Sequence, residues 1–269
     1  MGVQTREKLN QLQHNLPSGL VVDAGWLERH GYSRGLRKKY VTNGWLVPVA
    51  RTVYSRPLAT GPLPGQTEKL HWQNVVVSLQ TMLGRQLVVG GRTALELQGF
   101  SHYLSAGGPR EVHLYGEEQP PGWLVKLKLD VSFEFHNTRR LFRTSNAADV
   151  VRQPWGEPDW PLAISSPERA ILELLDELPE RETFHQADVL MEGLSNLSPR
   201  RLQRLLEDCG SVKVKRLFLW FADRHDHAWL RKIDRSPVDL GRGKRLLVRG
   251  GKLDPKYGIT VPETLSGSV

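Results

Sequence analysis

The chain has 269 residues and a formal net charge of +8, a length that allows two domains with a sizeable core. No window approaches eighteen apolar residues and the amino-terminal segment MGVQTREKLNQLQ lacks an apolar signal region, so neither a membrane span nor secretion is indicated. The single Cys209 has no partner for an internal disulfide. We therefore expect a cytoplasmic protein with no membrane partner.

Three short helices are predicted at the amino terminus. Leucines at 9, 12 and 16 recur at helical spacing, and Asp23 is a suitable N-cap for a second helix through His30. Ser33 can cap a third helix that stops at Asn43-Gly44. Two short helices across a tight turn, supported by a third, are typical of a helix-turn-helix.

A β-hairpin is predicted directly after the third helix. The runs 45–49 and 53–55 are short and β-prone, with Ala50-Arg51-Thr52 between them as a turn. Pro48 requires its strand to lie at a sheet edge. Helices followed by such a hairpin predict a winged helix-turn-helix over residues 1–56 that binds double-stranded DNA.

The third helix separates an apolar side from a cationic one. Leu36 and Tyr40 share a face at i, i+4 spacing, which places the basic residues and one threonine elsewhere on the helix. The predicted DNA-contacting residues are Arg34, Arg37, Lys38, Lys39 and Thr42 on this helix, with Arg51 at the wing tip and Arg56 at its base. The alternative for a basic helix is a solvated surface without a partner.

Charge is distributed unevenly along the chain. Residues 1–56 hold 9 Lys/Arg against 3 Asp/Glu, residues 57–197 hold 12 against 18, and residues 198–256 hold 16 against 7. A basic segment attracts polyanions. In the second basic region we select Lys213, Lys215, Arg216, Lys244 and Arg245 as a candidate surface, with RNA as a possible partner. The alternative there is a set of amphipathic helices with solvated outer faces.

The stretch PLATGPLPGQ at 57–66 is predicted to be a Pro/Gly linker. Beyond it, residues 67–262 are predicted to form a larger domain of mixed α and β structure, followed by a tail at 263–269. Helices are expected at 68–83 and 93–97, and strands at 111–115 and 131–136. The overall fold class is therefore mixed α/β (α+β), with a winged helix preceding a helix-rich domain.

Helix-start signals are clear in the last third of the chain. Ser166-Pro167 and Ser198-Pro199 each combine a cap with proline at the first helical position, and Ser211 precedes a further amphipathic run. Two strands, RLLVR and YGITV, are predicted between 244 and 261. Cys209 is predicted to be a packed residue.

Catalytic constellations are few. The glycines of GRGK and GGK lack the spacing of a phosphate-binding loop. Asp223, His225, Asp226 and His227 could hold a metal, although a polar helix end is the commoner reason for such a cluster. No carboxylate pair is followed by a lysine at the spacing of a metal nuclease. We therefore expect no catalytic, cofactor or metal residues.

Several long motifs resemble the AbiEi-type antitoxins of type IV toxin-antitoxin systems. They are GLVVDAGWLERHGYSRGLRKKYVTNGWL in the amino-terminal part, GGRTALELQGFSHYL at 90–104, VHLYG at 112–116, ISSPERAILELLDELP at 164–179, SVKVKRLFLWFADRHDHAW at 211–229 and GKRLLVRGGKLDPKYGITVPE at 243–263. The resemblance runs nearly end to end.

The resemblance implies a non-enzymatic antitoxin whose winged helix represses its own operon at inverted repeats. It further implies that the larger domain counters an AbiEii-type nucleotidyltransferase toxin without a stable complex, and the surface selected in the second basic region is therefore our candidate antitoxin surface. It also places DNA contacts on the third helix and on Arg51. The family's wing turn tends to be flanked by glycine, whereas this chain has Ala50-Arg51-Thr52. The alternatives are a stand-alone winged-helix regulator and a DNA-directed nuclease.

Overall fold

The computed structural model describes residues 2–57, 69–100, 110–144, 147–156 and 159–266. The chain forms two compact units. The first comprises Met1–Leu87, Glu118–Phe133 and Arg152–Ala163, and the second comprises Val88–Glu117, Glu134–Val151 and Ile164–Val269. Apart from Pro57, the predicted linker lies outside the described residues. So do positions 101–104 of the motif GGRTALELQGFSHYL, which we call the GGRTAL motif after its first six residues. The fold is a mixture of α and β structure, as predicted.

Residues 2–55 form a winged helix-turn-helix, which confirms the prediction. Its elements, in order, are α1 (Gly2–Asn15), β1 (Val21–Asp23), α2 (Ala24–Arg29), α3 (Arg34–Thr42), β2 (Val47–Ala50) and β3 (Val53–Ser55). The three strands form an antiparallel sheet in the order β1-β3-β2. Pro48 therefore lies in an edge strand, where its missing N–H is tolerated.

Local capping sets the bounds of the two central helices. The Asp23 carboxylate accepts a hydrogen bond from the Trp26 N–H at 2.7 Å and the Ser33 hydroxyl accepts one from the Leu36 N–H at 3.4 Å. Gly44, at φ +72°, turns the chain after α3. The side chains of Leu12, Leu27 and Tyr40 are buried beneath these helices.

Strand β1 was not predicted from the sequence. It pairs Val21 with Ser55 and Asp23 with Val53. Three residues are too few to show alternation of apolar and polar side chains. The strand exists because β3 provides backbone partners for it, and it joins the wing to the start of α2.

The first unit also contains α4 (Trp72–Val77), which continues as a π-helical turn at Ser78–Met82. The Ser78 hydroxyl accepts from the Val21 N–H at 2.9 Å, and the Asn74 amide donates to the Gly19 carbonyl at 3.2 Å. These bonds satisfy buried backbone groups of β1 and of the segment before it. The winged helix and α4 thus belong to one packed body.

A five-stranded sheet has the order β6-β5-β4-β8-β7. The strands are β4 (Leu87–Val89), β5 (Glu111–Gly116), β6 (Ser132–Asn137), β7 (Val150–Trp155) and β8 (Trp160–Ser165). Strands β4 and β8 are parallel, with Val89 opposite Ile164. The predictions of strands near 111–115 and 131–136 are confirmed, whereas β7 and β8 were not predicted.

Helices dominate the second unit. They are α5 (Gly91–Leu97), α6 (Pro167–Asp176), α7 (Phe184–Gly193), α8 (Pro199–Asp208) and α9 (Val212–His225). Helix α6 is central and contacts α5, α7, α8 and α9. The serine caps at 166, 198 and 211 are confirmed, since each hydroxyl accepts from the backbone N–H three residues later.

The carboxyl-terminal region differs from the prediction of two strands at RLLVR and YGITV. The hairpin instead pairs β9 (Lys252–Asp254) with β10 (Ile259–Val261). In the RLLVR segment only Arg245 forms a bridge, to Ile259, because the N–H groups of Leu247 and Val248 donate to the Thr260 hydroxyl. A side-chain acceptor there replaces the strand ladder.

Candidate nucleic-acid interface

Helix α3 has an exposed cationic face. Arg34, Lys38, Lys39 and Thr42 are exposed, and among the described residues none of the three cations has an ion pair. Thr42 donates its hydroxyl to the Lys38 carbonyl at 3.1 Å. An α-helix fits into the major groove of DNA, so unpaired cations on its exposed face can reach phosphates or base edges there.

Arg37 does not belong to that face. Its guanidinium is not exposed and therefore cannot make the predicted DNA contact. The side chain is buried, with a residue exposure of 6 %. Its guanidinium donates to the Tyr32 carbonyl at 3.0 Å and to the Glu28 carboxylate at 2.9 Å. One turn from Tyr40, Arg37 lies on the packed side and links α3 to α2.

The wing presents Arg51 at its tip. Arg51 is exposed, and Thr52 beside it adopts a left-handed backbone at φ +65°. The Thr52 carbonyl accepts from the Ala24 N–H at 2.8 Å, which ties the turn to the start of α2. Thr52 therefore occupies a conformation that glycine adopts readily and a β-branched residue rarely does.

Arg56 supports the fold instead of extending into solvent. Its guanidinium donates to the carbonyls of Gln13 and Leu16 at 2.6 and 2.9 Å. These carbonyls lie at the end of α1, where helical partners run out. Burial lowers the pKa of Arg56. The predicted phosphate contact is thus replaced by a helix-end contact.

Two apolar side chains that sequence reasoning did not assign to the interface are also exposed. Trp45 and Val47, just after α3, have 40 % and 42 % of their surface accessible. Both residues lie in a β-prone run, a pattern that suggests buried side chains. Within that run only Pro48 indicates that β2 is an edge strand.

The candidate antitoxin surface is not a continuous surface. Lys215 and Arg216 are buried, with exposures of 2 % and 4 %. Arg216 donates to the carbonyls of Leu240 and Gly243, each at 2.7 Å. Helix α9 is packed on most sides. Its basic residues are spread around the helix, so the sequence alone does not indicate this packing.

The remaining members of that set differ in exposure. Lys213 is held by the carbonyls of Asp176 and Leu178, the latter at 3.0 Å. Lys244 and Arg245 are exposed. Of the five selected residues, only these two are exposed cations.

The polar cluster at the end of α9 is divided among protein partners. Asp223 binds Arg235, Lys256 and Tyr257, whereas His225 contacts Asp188 at 2.8 Å and His227 contacts the Met191 carbonyl at 2.7 Å. Across the described part of the chain, no group of three or more His, Cys, Asp or Glu residues is placed to hold a metal ion.

The glycine pair of the GGRTAL motif has a packing role. The Gly91 N–H donates to the buried Glu173 carboxylate at 2.9 Å, and Arg169 and Ser165 donate to the same group at 2.7 and 3.0 Å. A Cβ at Gly91 would lie 2.8 Å from the Tyr115 hydroxyl. The motif thus allows close approach of α5, β5 and α6.

None of the helices in the described ranges is long and apolar enough to cross a membrane. The exposed cationic helix, followed by a hairpin with an arginine at its tip, defines a winged-helix protein of the DNA-binding class. The family of AbiEi antitoxins, transcriptional regulators of type IV toxin-antitoxin systems, matches at residues 109–262, and its amino-terminal domain matches at residues 5–106. The chain belongs to this family.

A solved structure has a similar fold. The crystal structure of the RV2827C protein from Mycobacterium tuberculosis is 15 % identical, with a TM-score of 0.54 over 96 % of this chain and 91 % of that one. At this identity the likeness concerns the fold alone. No curated protein matches the sequence.

Proposed function

We propose that this protein represses its own operon by placing α3 in the major groove of promoter inverted repeats, with Arg51 on the adjacent backbone. The observation that carries the proposal is the exposed, unpaired set Arg34, Lys38 and Lys39 beside the wing. Phosphate contacts from such cations set affinity and register, whereas base-edge contacts from the same helix set sequence preference. Arg37 and Arg56 are left out of the interface.

We further propose that the protein is a non-enzymatic antitoxin. It would oppose an AbiEii-type nucleotidyltransferase toxin without forming a stable complex with it. Family membership supports the antitoxin role. The carboxylates of buried Glu173 and half-buried Asp223 are engaged by protein donors, which supports the absence of catalysis by those two groups.

The test of repression is a titration of the full chain against the DNA fragment upstream of its own coding sequence, beside a scrambled duplex of equal length. The Arg34→Ala/Lys38→Ala variant should bind the upstream fragment at least about tenfold more weakly, because each well-placed contact is worth about 1–3 kcal/mol. Retained tight binding by this variant would remove α3 from the interface.

The matched control is Lys126→Ala/Lys128→Ala. These two lysines are exposed in the same unit and lie outside the winged helix. The variant loses the same charge, so unchanged affinity would show that position and not net charge decides. Equal weakening in both variants would point to nonspecific attraction.

The antitoxin role is tested by growth during co-expression with an AbiEii-type nucleotidyltransferase. We expect the Arg34→Ala/Lys38→Ala variant to protect as well as the unaltered chain, since protection would not need the promoter. Co-purification of the two proteins would contradict the absence of a stable complex. DNA cleavage that requires a divalent metal would instead favour the nuclease alternative.

A further inference from the structure

A second group of cations is exposed in the second compact unit, which we also call the carboxyl-terminal unit. Between Leu240 and Leu253 the chain contains five basic residues and no acidic one. We name this segment the basic loop, and its cations are Arg242, Lys244, Arg245, Arg249 and Lys252. All five are exposed, and within the described ranges none of them has an ion pair.

The other arginines nearby show how unusual this is. On the helices of the same unit, most arginines pair with a carboxylate that is at least half buried. These pairs are Arg92 with Glu182, Arg169 with Glu173, Arg201 with Glu168, Arg204 with Asp149 and Arg224 with Asp188. The basic loop therefore keeps a concentration of charge that internal pairing does not neutralise.

The backbone that carries these cations is held in place. Arg216 donates to the carbonyls of Leu240, Gly243 and Gly258 from inside the unit. The Arg245 N–H donates to the Gly258 carbonyl at 2.8 Å, and the Arg245 carbonyl accepts from the Thr260 N–H at 3.1 Å. Binding of a ligand to this loop would therefore cost little free energy for ordering the backbone of the loop.

Positive charge accumulates locally at the loop. The pKa of Arg216 is lowered by burial and, to a lesser degree, by the charge of Arg245. Like charges at close range favour binding of an anion that screens both. Leu246 in the same loop is exposed as well, with 69 % of its surface accessible.

The composition of the loop favours a duplex over a single strand. Recognition of unstacked bases depends on aromatic side chains as stacking platforms, and residues 240–253 contain none. Long unpaired cations without aromatic neighbours are suited to the sugar-phosphate backbone.

We propose that the basic loop binds the phosphate backbone of double-stranded DNA without sequence preference, and so adds a second contact to promoter binding. This inference rests on the proposed repressor function, which supplies DNA as the duplex that the protein meets. It assigns the loop to affinity and leaves sequence preference to α3.

The test measures binding of the full chain to three probes between about 50 and 200 mM salt, a range over which counterion release is readily resolved. The probes are the upstream fragment, a scrambled DNA duplex and an RNA duplex of equal length. In the Lys244→Gln/Arg245→Gln/Arg249→Gln variant, the slope of log affinity against log salt should become shallower by about 0.9 for each phosphate that the loop no longer neutralises. Affinity should drop by a similar factor on both DNA duplexes.

The matched control is Arg200→Gln/Arg231→Gln/Lys232→Gln, which removes the same charge from exposed residues of the same unit. A loop variant with the control's slope would overturn the proposal, and so would a loss confined to the RNA duplex. Circular dichroism melts of both variants test whether they are folded. If the unaltered chain fails to distinguish the upstream fragment from the scrambled one, the repressor function fails, whereas the loop's contribution is still measured on the scrambled DNA.

Discussion

Arg37, Arg56 and Arg216 bind backbone carbonyls instead of facing solvent. Arg37 and Arg56 stabilise turns and helix ends in the winged helix, and Arg216 does so beneath the basic loop. A guanidinium has five donors in a planar fork, so one side chain can satisfy several carbonyls. Basic residues in a cationic run therefore have two quite different uses, and spacing alone does not separate them.

Arg37→Ala should lower the free energy of unfolding by about 1–3 kcal/mol, because it leaves the Tyr32 carbonyl without its buried donor. Arg34→Ala, on an exposed neighbour, should leave stability unchanged. Urea unfolding followed by tryptophan fluorescence measures both. Wild-type stability of the Arg37→Ala protein together with weakened DNA binding would return Arg37 to the interface.

Gly90→Ala should destabilise the carboxyl-terminal unit by about 1–3 kcal/mol or more, because a methyl group there would overlap the Glu173 carboxylate and the Tyr115 ring. Gly122→Ala is the comparison, since a Cβ at that position meets nothing within 4 Å. Thermal unfolding of the two variants distinguishes them. Equal melting temperatures would contradict the tight packing of the motif.

At the scale of elements, the bounds of helices were predictable where a cap determines them. Ser33, Ser166, Ser198 and Ser211 each begin a helix where the sequence predicts one, because capping is an interaction between residues three apart. Strand β1 and the position of the final hairpin were not predictable in this way, since their partners lie far along the chain.

The same distinction applies to the interface. The exposed cations of α3 follow from helical periodicity, whereas the burial of Arg37 depends on Glu28 and Tyr32 of the preceding helix and turn. In α9, Lys215 and Arg216 occur among apolar residues on several faces, so only tertiary packing reveals that they are covered.

The wing turn contains backbone strain that a substitution can relieve. Thr52→Gly should be more stable than Thr52→Ala by roughly 1 kcal/mol, because left-handed backbone costs a residue with a Cβ about that much. Urea titrations of the two variants give the difference. If Thr52→Ala is the more stable protein, the turn is not strained at this position.

For the whole molecule, resistance to acid depends in part on Asp223. Burial alone would raise the pKa of this carboxyl, but hydrogen bonds from Arg235, Lys256 and Tyr257 outweigh it and lower the pKa to about 2. A carboxyl with a lowered folded-state pKa stabilises the fold above its unfolded pKa of about 4, and that contribution is lost as the pH falls towards 2.

The stability of the unaltered chain should therefore decline between about pH 4 and pH 2, and Asp223→Asn should flatten this part of the curve while lowering stability at neutral pH. Chemical unfolding at a series of pH values measures both effects. Asp239→Asn is a suitable control, because that carboxyl is exposed and, in the described part of the chain, accepts a hydrogen bond only from the Gly241 N–H. Parallel curves for Asp223→Asn and the unaltered chain would rule out the linkage.

The only cysteine of the chain is buried, and burial raises the pKa of the Cys209 thiol to about 11. Alkylating reagents are attacked by the thiolate form of cysteine, which this residue hardly populates at neutral pH. We therefore expect Cys209 not to react with a thiol-specific label in the folded protein. A cysteine introduced by Arg51→Cys would carry a fluorophore or a cross-linker alone, so the position of the wing tip on DNA could be followed without removing any native residue of the core.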